Sequence, residues 1–182
     1  MSEIEPNARE RRVDRVLGLL RRAAAVTGGA ALVVIVAVMG WQVFGRYVLN
    51  STPTWAEQVS ILLIAYITFL LAAVGVGERT HLSVDILVDN LPPRARRVVE
   101  LVRDLAILGF GATVAVQAYG LVQFNWRRQI PLLDVPEGLR ALPAAVGGAL
   151  MVVFAAVFVA RRLRGRPQPD LRPPETPAGE GD

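Results

Sequence analysis

The sequence has no cysteine and no lysine, and its only histidine is His81. Without cysteine there are no disulfides, no thiolate metal sites and no thioether-linked haem. One histidine cannot supply the paired axial ligands of a membrane cytochrome. Charge is missing from four long runs, residues 23–45, 58–77, 105–126 and 141–160, none of which contains Asp, Glu, Lys, Arg or His. An ion-coupled carrier or pump needs ionisable or unwound polar positions at membrane depth, where an ion exchanges its hydration shell for protein ligands. The gap argues against a self-sufficient transporter and against a small exporter that holds a carboxylate within a span. There is also no glycine-rich phosphate loop, no metal-ligand cluster and no nucleophile with a plausible histidine base. Catalysis is therefore not expected, and neither is a cofactor bound by this chain.

What is present is apolar length. The chain has 182 residues, 53% of them hydrophobic, and a mean hydropathy above zero. At about 1.5 Å per residue a 20-residue helix reaches roughly 30 Å, the thickness of a bilayer's hydrocarbon core. The four runs predict an all-α integral membrane protein with four transmembrane helices. The first run is too long for the apolar stretch of a secretory signal, and Arg46-Tyr47 follows it instead of a small-residue cleavage site. It reads as a retained span.

All 20 basic residues are arginine. If the spans alternate, sixteen fall on one side, in the N-terminal segment, the loop between spans two and three, and the tail. Four fall on the other: Arg46, Arg127, Arg128 and Arg140. Positive loops stay in the cytoplasm, so both termini are expected there. Trp41, Trp55 and Trp126 all map to the opposite, outer interface, where indole rings prefer to sit. The basic balance is explained by lipid headgroups and topology and needs no nucleic-acid partner.

Along the chain, residues 1–12 read as a flexible tail, 13–164 as the four-helix membrane domain and 165–182 as a disordered proline-rich tail. Val13, Val16, Leu17 and Leu20 form an amphipathic lead-in to the first span. Between spans two and three, Val84, Leu87, Val88 and Leu91 fit one face of a short surface helix, whereas Leu82, Val84, Ile86 and Val88 alternate like a strand. An isolated strand would leave unpaired edges, which favours the surface helix. Pro92-Pro93 would end it and open the next helix. A fourth helix that began near Pro136 would be bent by Pro143.

The polar members of the spans, including Ser60, Thr68, Thr113, Gln117, Tyr119, Gln123 and Asn125, suit bonds to helix carbonyls or neighbouring helices better than bonds to a substrate. Small residues lie four apart in every span: Ala25 and Gly29, Ala73 and Gly77, Gly111 and Ala115, Ala144 and Gly148. They allow close helix approach, within the chain or against a partner.

The stretch 46–57, RYVLNSTPTWAE, joins the first two spans. Thr54-Trp-Ala-Glu57 fits a capping box for the second helix, and Arg46 and Tyr47 suit interface anchors that end the first. Taken with Asn50, Trp55, Gly75, Arg79 and the segment His81-Leu-Ser-Val-Asp85, this stretch resembles the small membrane subunit of tripartite ATP-independent periplasmic (TRAP) transporters, the DctQ-like family. The later stretch Ile130-Pro131-Leu-Leu-Asp-Val-Pro136, with Leu142-Pro143 and Gly147, is similar to the family's outer loop and fourth span. One departure is Gln58, where many members carry a second acid after the glutamate.

The resemblance implies an accessory subunit of a secondary uptake system for an organic acid or related solute. It would brace a large multi-spanning subunit, to which sodium coupling belongs, and help dock a periplasmic receptor. Arg46, Tyr47, Asn50, Trp55 and Glu57 would then fix the outer corner, with Arg46 paired to Glu57 or to a partner. His81 and Asp85 would fix the inner surface segment, and Gly29, Gly77, Gly111 and Gly148 are candidates for helix packing. A stand-alone small membrane protein, such as an assembly factor or sensor, is the alternative.

Overall fold

A computed structural model describes residues 8–51, 53–78, 92–131 and 133–165. Among these residues there are four α-helices: α1 (Ala8–Tyr47), α2 (Trp55–Glu78), α3 (Pro93–Asn125) and α4 (Leu142–Leu163). A single 3-10 turn, Glu137–Arg140, precedes α4. Among the described residues there is no strand beyond one isolated bridge between Gln129 and Pro136. Each of the four helices is long and apolar enough to cross a membrane. The segment expected to lie on the membrane surface, with His81 and Asp85, is outside the described residues, as is the tail from residue 166.

Uncharged runs mark where lipid can be tolerated, but helices continue past them wherever backbone and side chains still find partners. The 40 residues of α1 would extend about 60 Å, twice the hydrocarbon thickness. It begins at Ala8, ahead of the boundary expected at residue 13. Its lead-in is held by the core: Leu17 is buried with Met151, Phe154 and Phe158 of α4, and Val13 and Leu20 pack against the same cluster. Val16, the fourth member of the expected stripe, turns outward.

The two proline-marked starts differ in outcome. Helix α3 opens on Pro93 after an extended Pro92, where the missing N–H would have lacked an intrahelical partner in any case. Helix α4 begins at Leu142, so Pro143 also falls in the first turn. The bend considered for a start near Pro136 is absent for that reason: the 3-10 turn at Glu137–Arg140 separates Pro136 from the helix, and Pro143 interrupts no established ladder.

The helices pack side by side in the order α1, α2, α4, α3, with the principal contacts between neighbours in that row. The last helix of the chain therefore lies between the second and third. Its small residues permit this. A side-chain carbon added at Gly148 would lie 2.7 Å from the Ala115 nitrogen and 3.0 Å from the Gly111 oxygen, and one added at Gly147 would lie 2.7 Å from the Phe69 oxygen. Two adjacent glycines thus let α4 approach the backbones of α3 and α2 at the same level. Gly111 and Gly148 meet each other, a carbon added at Gly77 would lie 3.5–3.6 Å from the Phe154 ring, and Gly29 faces open space.

Candidate functional site

The ionic and polar groups collect at the two ends of the row. One end carries the three tryptophans, the other most of the described arginines. At the tryptophan end the corner between α1 and α2 is built from the backbone. Asn50 adopts a left-handed conformation, φ 51°, which asparagine tolerates better than most residues. The Ser51 N–H then donates back to the Gly45 carbonyl at 3.0 Å. Gly45 is buried by this return: an added carbon there would sit 3.0 Å from the Ser51 oxygen and 3.1 Å from Pro53. Sequence reasoning passed over Gly45 because it looked like the last apolar residue of a span.

Side chains at the corner point outward. Arg46, Tyr47, Asn50, Trp55 and Glu57 are all exposed, Tyr47 by 80%. Arg46 and Glu57 form no ion pair with each other. The capping-box bonds of Thr54 and Glu57 are not made either. The Ala56 N–H turns to the Pro53 carbonyl at 3.1 Å, closing a tight turn that leaves both side chains free at the surface.

The pairing at this end involves another arginine. Arg140, at the close of the 3-10 turn, donates to the Gln58 side-chain oxygen and lies 3.9 Å from Glu137. The position where this chain departs from the family pattern is thus the acceptor for a loop arginine, and it ties α2 to the approach of α4. The loop itself is ordered by Ile130 N–H to Val135 O and Glu137 N–H to Arg128 O, both 2.8 Å, and it inserts Ile130, 1% exposed, against the helices. Arg127 and Arg128 stay exposed, Arg128 lying over the Phe124 ring at 5.6 Å.

At the arginine end, ion pairs cross between helices. Arg162 of α4 donates from Nε to Asp104 of α3 at 3.0 Å and from Nη1 to Glu100. Arg103 reaches Asp104 at 3.4 Å and Arg96 reaches Glu100 at 3.3 Å. Arg21 of α1 pairs with Glu78 at the end of α2, and Asp14 of α1 pairs with Arg161 of α4. Asp104 is only 2% exposed. A carboxylate so buried is tolerable only because guanidinium groups surround it. These four acids were not singled out from the sequence, where the arginines were read as topology signals. One signal was available: Glu100 and Asp104 are four apart and share a helix face.

Several of the polar residues within the spans turn to their own helix. Ser60 donates to the Ala56 carbonyl at 2.8 Å, Thr113 to Gly109 at 2.9 Å and Asn125 to Leu121 at 3.1 Å. Among the described residues no group of His, Cys, Asp and Glu could hold a metal ion.

Four lipid-compatible helices, exposed apolar flanks on α1 and α3 and charges confined to the ends define a multi-pass membrane protein. Comparison with known proteins supplies the family. Residues 35–165 match the family described as tripartite ATP-independent periplasmic transporters, DctQ component, and the chain belongs to it. Among its relatives, the sialic acid TRAP transporter small permease protein SiaQ of Vibrio cholerae is 27% identical over 118 residues, 65% of this chain and 68% of the relative. The C4-dicarboxylate TRAP transporter small permease protein DctQ of Pseudomonas aeruginosa is 32% identical over 127 residues, 67% of this chain and 60% of the relative. The isethionate TRAP transporter permease protein DctMQ of Oleidesulfovibrio alaskensis is 26% identical over 143 residues, 74% of this chain but 22% of that one.

Proposed function

We propose that this chain is the small permease subunit of a TRAP transporter that imports an organic acid or related solute. It braces a large membrane subunit and helps a periplasmic receptor dock. The observation that carries this reading is the match over residues 35–165 in a chain whose four spans hold no Asp, Glu, Lys, Arg or His. Coupling to sodium then belongs to the large subunit, and this chain performs no catalysis and binds no cofactor. The isethionate relative supports such a partnership, because there the matching segment makes up 22% of one longer permease chain.

Arginine asymmetry supports an inner-membrane orientation with both termini in the cytoplasm, the arginine end inward and the tryptophan end toward the periplasm. The exposed corner of Arg46, Tyr47, Asn50, Trp55 and Glu57 then faces the side from which a receptor arrives. Because Arg46 and Glu57 are not spent on each other, both are available to a partner. The test is reconstituted solute uptake with and without this subunit, scanning candidate acids. Uptake that needs the subunit supports the reading, and unaided accumulation by this chain alone refutes the accessory role. Replacing Arg46 and Glu57 by alanine is expected to lower assembly or uptake more than replacing Arg127 and Arg128. Equal losses would deny the corner a special role.

A further inference from the structure

The helices at the two edges of the row, α1 and α3, differ in one respect on the faces they turn away from their neighbours. The outward side of α1 through the span carries Val26, Thr27, Val33, Ala37, Gly40 and Phe44, all exposed, with a hydroxyl but no amide among them. The outward face of α3 carries Gly109, Thr113, Val116, Gln117 and Gly120, all exposed. Thr113 is satisfied by its own helix through the Gly109 carbonyl, and the Gln123 amide donates to the Tyr119 hydroxyl at 2.6 Å. Gln117 differs: its amide has no hydrogen-bond partner among the described residues.

Depth makes this significant. Gln117 stands nine residues before Trp126, about 13 Å along the helix from the tryptophan interface. Its side chain is too short to reach the headgroups from there. An amide with two donors and an acceptor, left in hydrocarbon, has nothing to bond. Thr27 and Thr68, the outward hydroxyls of α1 and α2, can rotate toward a carbonyl of their own helix, whereas Gln117 does not fold back on Thr113, four residues before it, as Gln123 does on Tyr119. Beside Gln117, neither Gly109 nor Gly120 has any atom within 4 Å of where a side-chain carbon would sit, so a neighbouring helix can approach closely there.

We propose that this face of α3 seats a transmembrane helix of the large permease subunit, one that offers a hydroxyl, amide or free backbone carbonyl to Gln117. The proposal rests on the reading of the chain as a TRAP small subunit. It favours the large subunit over a second copy because in the isethionate relative the equivalent segment is part of a single permease chain, which fixes one such segment to one large membrane partner.

Val116 on α3 and Val33 on α1 are equally exposed, both 70%, and make a matched pair of probes. In the full chain co-expressed with its large permease subunit, p-benzoylphenylalanine replaces one or the other before the membranes are irradiated. Position 116 is expected to give an adduct containing the large subunit, and position 33 none. Independently, Gln117→Leu should reduce co-purification of the large subunit about three- to tenfold without lowering the Tm of the small subunit purified alone. Gln117→Asn should retain most of the co-purification. An adduct of two small subunits at position 116, an adduct with the large subunit from position 33 only, or unchanged co-purification of Gln117→Leu would each overturn the proposal. So would a lower Tm for Gln117→Leu in isolation, since the amide would then serve this chain's own fold. Should wild-type chain recover no large subunit at all, the subunit reading itself would fall, an outcome distinct from the others.

Discussion

The two ends of the helix row are held by different means. At the arginine end, long side chains reach between helices: Arg162 holds Glu100 and Asp104, Arg21 holds Glu78, and Arg161 holds Asp14. Toward the tryptophan end, backbone does most of the joining, through Gly148 against α3, Gly147 against α2 and Gly45 beneath the returning corner. Among the described residues, the side-chain hydrogen bond between helical elements there is Arg140 to Gln58. Ion pairs suit a polar boundary, where water and headgroups share the cost of holding charge. Close backbone contact suits the lipid-facing depth, where dispersion and hydrogen bonds replace the hydrophobic effect. The outcome is a corner whose Arg46 and Glu57 are not paired with each other and, opposite it, a set of ion pairs that cross between helices.

This contrast can be broken at graded cost. The largest effect is expected at Asp104. Asp104→Ala strips Arg162 and Arg103 of a buried acceptor and should cost about 3–5 kcal/mol of stability, measured by denaturation in detergent; replacing Arg162 by Met as well should recover part of the loss. Next comes Gly148→Val, whose branches would press on the α3 backbone and cost about 1–3 kcal/mol, visible as a lower Tm with helix content unchanged. If the two ends were held alike, these substitutions would rank otherwise. A smaller change in the opposite direction is expected for Gln58→Glu, which gives Arg140 a charged acceptor and should add up to about 1 kcal/mol, declining as salt rises. Smallest of all, alanine at Arg46 and Glu57 should move stability by no more than about 0.5 kcal/mol, even where uptake is lost. A large drop in Tm there would mean that the corner serves the fold rather than a partner.

Much of the architecture was legible because lipid imposes a simple rule: runs without charge must be helical and must be about 20 residues long. Four spans follow from that, and Pro93 marks the start of α3 in the sequence itself. What stayed hidden depends on contacts between residues distant in the chain. Nothing near Asp104 announces that Arg162 will neutralise it, and nothing near Ile130 shows that a loop residue will be buried more completely than most of the spans. The Thr54-x-x-Glu57 spacing fitted a capping box, yet neither box bond is made, and the first turn is closed instead by the Ala56 N–H on the Pro53 carbonyl. Gln58 looked like a simple departure from a family pattern until Arg140 appeared opposite it. His81 and Asp85 fall outside the described residues, so the sequence expectation for them stands as it was.

The position of α4 in the middle of the row has a consequence for biogenesis. A chain emerging from the ribosome can pair α1 with α2 as soon as both have entered the bilayer. Helix α3 must then wait, because the surface it packs on and Arg162, the partner of Asp104 on another helix, belong to α4, which is made after it. During that interval the backbone groove at Gly111 has no permanent companion, while Arg103 stays within reach of Asp104 on α3 itself. The insertion machinery, or a large subunit already in place, is the natural holder for α3 until translation ends.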